Sequence, residues 1–122
     1  MNIIKLPDAE HRVMNCIWSM DEPITSMAVA KRLSEEKDWS LTTVLTFLSR
    51  LADKGFLKVH RDKKQNIYEA LICRDEYVKS ESRNFIKQIH SGSVTNLVAC
   101  LYGSGSISQE DLDELRAYVN GR

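Results

Sequence analysis

The chain predicts a mainly α fold with one small β-hairpin, and three features carry that expectation. Three amphipathic segments follow one another between residues 8 and 54, each opened by a helix-starting or capping residue. The pattern then leaves the helical period for two short β-prone runs, "FLKVHR" and "NIYEAL", held apart by the polar cluster "DKKQ". After residue 73 it turns helical again, in three thin stripes separated by small residues.

The first helix is expected over 8–20. Pro7 and Asp8 start it, and Ala9, Val13, Cys16, Ile17 and Met20 form its inward stripe. "DEPIT" breaks the chain. Thr25 can cap a second helix over about 26–36, with Met27, Val29, Ala30 and Leu33 as apolar contacts. Ser40 caps a third, in which Leu41, Val44, Leu45, Leu48 and Leu51 recur at i, i+3, i+4 spacing. Gly55 stands where a left-handed residue ends it. Three helices followed by a hairpin with a basic tip is the order of a winged helix-turn-helix, assigned here to residues 1–73.

Residues 74–122 are predicted to be a helical dimerisation region. A helix over 74–90 carries only Val78, Phe85, Ile86 and Ile89; "SGS" ends it; Val94, Leu97, Val98 and Leu101 form a second stripe. "GSGS" follows, and Ser108 caps a last helix with Asp111 at its third position and Leu112, Leu115 and Val119 facing inward. Such short stripes have little apolar surface for an independent core. Val78, Phe85, Ile89, Val94, Leu97, Val98, Leu101, Leu112, Leu115 and Val119 are therefore expected to pack against a second copy, giving a homodimer.

Net charge is zero overall but unevenly spread. Residues 41–68 hold Arg50, Lys54, Lys58, Arg61, Lys63 and Lys64 against Asp53 and Asp62, a local balance of +4. The C-terminal end is acidic, with Glu110, Asp111, Asp113 and Glu114 against Arg116 and Arg122. This polarity points to one anion-facing region. No apolar run approaches the ~20 residues that span a bilayer, and "MNIIKLPDAE" lacks a signal-peptide pattern. A cytoplasmic location without direct membrane contact is expected. Cys16, Cys73 and Cys100 are scattered and odd in number, which supplies neither a disulfide framework nor a metal pair. They read as reduced thiols, with Cys16 and Cys100 on apolar helix faces. The chain has no Gly-rich phosphate loop, HExxH or GxSxG, so no catalytic residue, metal site or cofactor is expected.

The third helix carries the strongest functional signal. Opposite its apolar stripe lie Thr42, Thr43, Thr46, Ser49, Arg50, Asp53 and Lys54. Threonine is a weaker helix former than Glu, Lys or Gln, so a face that only met water would be built differently. Thr offers a hydroxyl and a methyl to base edges, and Arg pairs with guanine or phosphate. On the hairpin, Lys58, His60, Arg61, Lys63 and Lys64 repeat cationic groups. Duplex DNA presents one negative charge per about 1.7 Å of axis, which such a wing could hold. Thr42, Thr43, Thr46, Arg50, Lys54, His60, Arg61, Lys63 and Lys64 are the candidate DNA-binding residues. Trp39 reads as a brace at the start of the third helix, and Trp18 and Tyr68 read as core. A competing reading is a protein–protein adaptor in which the same helix and wing bind a protein partner and no DNA.

The segments "LPDAEHRVMNCIW", "DWSLTTVLTFLSRLADKGFL" and "IYEAL" resemble the penicillinase-repressor family, the β-lactam-responsive bacterial repressors and their copper-responsive relatives. The likeness covers nearly the whole chain. It implies a homodimeric repressor on a pseudo-palindromic operator, with the third helix in the major groove and a helical C-terminal region joining the subunits. It also implies inactivation by cleavage in that region, downstream of a membrane-bound sensor metallopeptidase. By resemblance, Thr43, Thr46 and Arg50 match the family's recognition-helix Thr, Thr and Arg; Tyr68 matches its wing-strand Tyr, and His60 and Arg61 the basic start of the wing. Thr42 stands where the β-lactam repressors carry Lys, and Leu45 where they carry Gln, which bears on the operator sequence. The bond between Cys100 and Leu101 falls where those repressors have an Asn–Phe cleavage site. The copper branch has closely spaced C-terminal Cys pairs, which "LRAYVNGR" lacks.

Overall fold

The computed structural model describes residues 3–21, 23–36 and 38–121. Its elements run α1 (Asp8–Trp18), β1 (Ile24–Thr25), α2 (Ser26–Ser34), α3 (Leu41–Asp53), β2 (Leu57–Arg61), β3 (Asn66–Ala70), α4 (Arg74–Ile89), α5 (Val94–Gly103) and α6 (Gln109–Asn120). The fold is mainly α with a small antiparallel sheet of strand order β1-β3-β2. The chain forms two compact units, Met1–Ser80 and Glu81–Arg122, which divide within α4.

Among the described residues, the buried apolar core lies entirely in the first unit. Val13, Met14 and Ile17 of α1, Val29 and Leu33 of α2, Val44, Leu48 and Leu51 of α3, and Phe56 just beyond are all at most 1% exposed. The two caps read from the sequence are present. Thr25 accepts a hydrogen bond from the Ala28 N–H at 3.2 Å, and Ser40 accepts one from the Thr43 N–H at 3.1 Å. Gly55 takes φ +84°. That turn lets Phe56 N–H donate to the Leu51 carbonyl at 2.9 Å and Gly55 N–H to Ala52 at 3.1 Å, the paired bonds that close a helix C-terminus.

Four features depart from the expected pattern. The "PIT" segment supplies a third strand, in which Ile24 pairs with Tyr68 and Thr25 with Ile67, so Thr25 is both a strand residue and the cap of α2. The buried arc of α3 is narrower than its leucine count suggests: Leu41 and Leu45 are 41% and 39% exposed. Met27 on α2 is also exposed rather than packed. A further core residue, Tyr77, comes from the first turn of a helix whose sequence is mostly polar; its hydroxyl accepts from Leu6 N–H at 2.9 Å. Trp18 Nε1–H donates to the Ile72 carbonyl at 2.9 Å, tying α1 to the chain just ahead of α4.

In the second unit α5 and α6 begin at the expected caps. Ser93 accepts from Asn96 N–H, and Ser108 with Asp111 forms a reciprocal capping box. Ser91 and Gly92 take left-handed φ values, 51° and 80°, at the corner between α4 and α5. There His90 is buried, its Nδ1 within 2.7 Å of Asn96 Oδ1 and its ring edge-on to Phe85. Among the described residues of this unit no hydrophobic side chain is buried. Leu97, Val98, Leu101 and Leu112 are half-buried, while Phe85, Ile89, Val94, Tyr102, Leu115, Tyr118 and Val119 are exposed. Cys100, read from the sequence as inward-facing, is exposed too.

Candidate nucleic-acid interface

The site is built on the outer face of α3 and on the hairpin that follows it. Burial of Val44, Leu48 and Leu51 fixes the rotation of α3 about its own axis. That rotation leaves Thr42, Thr46, Ser49 and Arg50 exposed, as the helical spacing predicts, while Thr43, expected on the same outward side, is half-buried. Two of the threonine hydroxyls have local partners. Thr46 Oγ1–H donates to the Thr42 carbonyl at 3.0 Å, and Thr43 Oγ1 lies 3.0 Å from Ser40 Oγ. With its proton so engaged, Thr46 offers an approaching ligand its methyl group and an oxygen acceptor.

Arg50 is held by stacking rather than by charge. Its guanidinium carbon lies 6.0 Å from the centre of the Phe47 ring, and Phe47 in turn packs on Trp39 with centroids 5.1 Å apart. This ladder restricts the long side chain and keeps its donors available, since among the described residues no carboxylate pairs with it. The bracing role read for Trp39 is therefore present. The platform residue Phe47 was not singled out from the sequence, and its signal was only its i, i+3 spacing to Arg50.

Lys54 is differently employed. It closes α3, and its ammonium pairs with the carboxylate of Glu10 on α1, which is itself buried. Lys54→Gln would leave that carboxylate without its cation. We expect a loss of about 1–3 kcal/mol in urea unfolding, with the salt dependence of duplex binding unchanged. A salt slope lower by about one with stability intact would instead place Lys54 on phosphate.

On the wing, Lys58, His60, Arg61, Lys63 and Lys64 are all exposed. The tip is a tight turn: Asp62 N–H donates to the Gln65 carbonyl at 3.0 Å, and the Asp62 carboxylate accepts from Lys63 N–H at 2.8 Å. Asp62 is thus turned onto the turn's own backbone, beside the flanking cations. Arg61, Lys63 and Lys64 line a groove whose other wall is Ser26 and Met27, at the N-terminal end of α2. That end adds backbone N–H groups and the positive pole of the helix to the cationic wing. His60 meets Glu69 across the hairpin, Nε2 to Oε1 at 2.8 Å. It is the one wing cation candidate with a carboxylate partner among the described residues.

Two groups outside this face have shifted acidities. Burial pushes the Cys16 thiol up, opposed by Arg32 and aided by Glu36. The Glu76 carboxyl is lowered because it accepts the Cys73 backbone N–H at the start of α4. No helix among the described residues is long and apolar enough to cross a membrane.

The chain is 31% identical over 116 residues to the methicillin resistance regulatory protein MecI of Staphylococcus aureus (strain N315), covering 95% of this chain and 94% of that protein. It is 31% identical over 113 residues to the penicillinase repressor of Bacillus licheniformis, covering 93% and 88% of the two chains. The chain is also similar to the solution structure of monomeric Bacillus licheniformis BlaI in complex with the blaP half-operator. That match has a TM-score of 0.53 and 36% identity, and covers 62% of this chain and 92% of that one. A model of the penicillinase repressor family matches residues 6–121, and with the three-helix head, its hairpin wing and these relatives in agreement, the chain belongs to the penicillinase repressor family.

Proposed function

We propose that this protein is a homodimeric transcriptional repressor that binds a pseudo-palindromic DNA operator through α3 and the wing, and that its hold is relieved by cutting or loosening the C-terminal region. The observation that carries the reading is the outer face of α3. Thr42, Thr43, Thr46 and a stacked Arg50 share one helix surface, and a wing with exposed Arg61, Lys63 and Lys64 follows it. A helix of this kind fits the major groove, and the cationic wing and the start of α2 supply phosphate contacts that fix its register. The half-operator bound by the related BlaI head supports DNA as the ligand. In this reading Lys54 acts as a brace for α3, and His60 shares its ring with Glu69 as well as with phosphate.

Dimerisation is supported by the second unit, where Val94, Leu115 and Val119 are exposed and no hydrophobic residue among those described is buried. Val78, Phe85, Ile89, Leu97, Val98, Leu101 and Leu112 would add to the same contact. Two-fold symmetry then sets half-sites about one helical turn (~34–36 Å) or a multiple apart. Relief follows from the same geometry, because a second head bound through a shared partner contributes avidity that separation removes. The Cys100–Leu101 bond lies inside α5, so a peptidase must first unwind that helix. A membrane-bound sensor metallopeptidase is the partner that the family likeness suggests for this step.

Arg50→Ala should weaken binding to the operator by roughly 1–3 kcal/mol while leaving a scrambled duplex nearly unaffected, measured by gel-shift titration. Equal losses on both duplexes would assign Arg50 to phosphate. Failure of the intact protein to bind duplex DNA or heparin with steep salt dependence would favour the adaptor reading.

A further inference from the structure

Leu41 and Leu45 are the two hydrophobic residues of α3 that its core packing does not use. They lie one turn apart on the same flank, both about two-fifths exposed, next to Thr42 and Thr46. A solitary exposed leucine needs no explanation. A pair at i, i+4 on the face that also carries the recognition threonines is a different matter, because the hydroxyl proton of Thr46 is already spent on the Thr42 carbonyl. The exposed surface of α3 on this side is consequently rich in methyl groups.

Resting on the DNA-binding reading above, we infer that Leu45, seconded by Leu41, reads thymine through its C5-methyl group. Base edges in the major groove are otherwise donors and acceptors, and the thymine methyl is the single apolar feature they present. An aliphatic side chain there gains by burying that methyl. It also disfavours the alternatives, since a leucine placed against a cytosine amino group or a purine N7 strips water from a polar atom without replacing its hydrogen bond. The operator half-site is therefore assigned a thymine opposite Leu45, discriminated by contact rather than by hydrogen bonding.

The test uses the full-length protein and a duplex selected by it from a random pool. Each thymine is replaced in turn by deoxyuridine, which removes one methyl group and nothing else. Burial of one methyl is worth ~0.8 kcal/mol, so one position in each half-site should lose affinity about fourfold through Leu45, whatever the threonine methyls contribute at other thymines. In Leu45→Ala that sensitivity should vanish while the others stay as they were. Leu45→Gln should likewise abolish it and change the base preferred at that position. Both variants alter an exposed side chain, and thermal melts confirm that they fold. Normal salt-dependent binding with no uracil-sensitive position overturns the assignment and leaves DNA binding standing. So does a set of uracil effects all of which persist in Leu45→Ala, or a selected pool with no fixed thymine. Loss of all duplex binding by the unaltered protein would overturn the parent reading as well.

Discussion

Leu115→Glu should turn the protein into a monomer and cost about 10²–10⁴-fold in operator affinity without touching a DNA-facing residue. Leu115 is 45% exposed on α6 and, with Leu112, Val119 and Tyr102, forms the apolar part of a groove edged by Gln109, Arg116 and Asn120. The protomer does not need it for a core, so the substitution leaves each chain folded. Against a second copy, it buries a carboxylate in an apolar contact, on a helix that already carries Glu110, Asp111, Asp113 and Glu114. Sedimentation at micromolar concentration should show a single chain, and affinity for a half-site should equal that of the unaltered protein. A variant that still sediments as a dimer, or a monomer that binds the full operator as tightly as before, would remove the avidity argument.

Phe56→Ala has the largest expected effect on the fold, about 3–5 kcal/mol. The Phe56 side chain is fully buried, and its ring meets Tyr77 edge-on with centroids 5.7 Å apart. Its backbone completes the C-terminal turn of α3 and accepts the Leu71 N–H at 2.8 Å. One residue therefore joins α3, the root of the wing and the first turn of α4, its backbone the first two and its ring the third. Domains of this size are stable by only about 5–15 kcal/mol, so its loss should consume a large fraction. Urea unfolding should show a much lower midpoint with an unchanged slope. A midpoint shift equivalent to less than about 1 kcal/mol would mean that Phe56 is not the keystone its burial implies.

The local grammar of the head was readable because it depends on neighbours in sequence. Ser40 and Gly55 bound α3 by chemistry confined to a few residues, and both ends fall where they were expected. What was misread depends on distant partners. Leu41 and Leu45 match the helical period, yet α1 and α2 cover an arc that reaches only Val44, Leu48 and Leu51. The Ile24–Thr25 strand exists only because Tyr68 and Ile67 offer it a ladder, and nothing local announces two residues as a strand. Lys54 looked like one more cation on an exposed face, but its partner Glu10 lies 44 positions away. Tyr77 was hidden by the polar residues around it, and the same tertiary contact carries the first compact unit beyond residue 73 to Ser80.

Every buried apolar side chain of the described chain lies before Ser80. Under the proposed function, scission anywhere downstream would therefore release a DNA-binding head that keeps its core and its surface chemistry and loses only its link to a partner. If the protein is the dimeric repressor proposed above, such a fragment would be a weak competitor for the intact protein's own sites. Derepression by cutting would then be graded by how fast the released heads are diluted or degraded, and the cell's recovery time would be set by their clearance as much as by new synthesis.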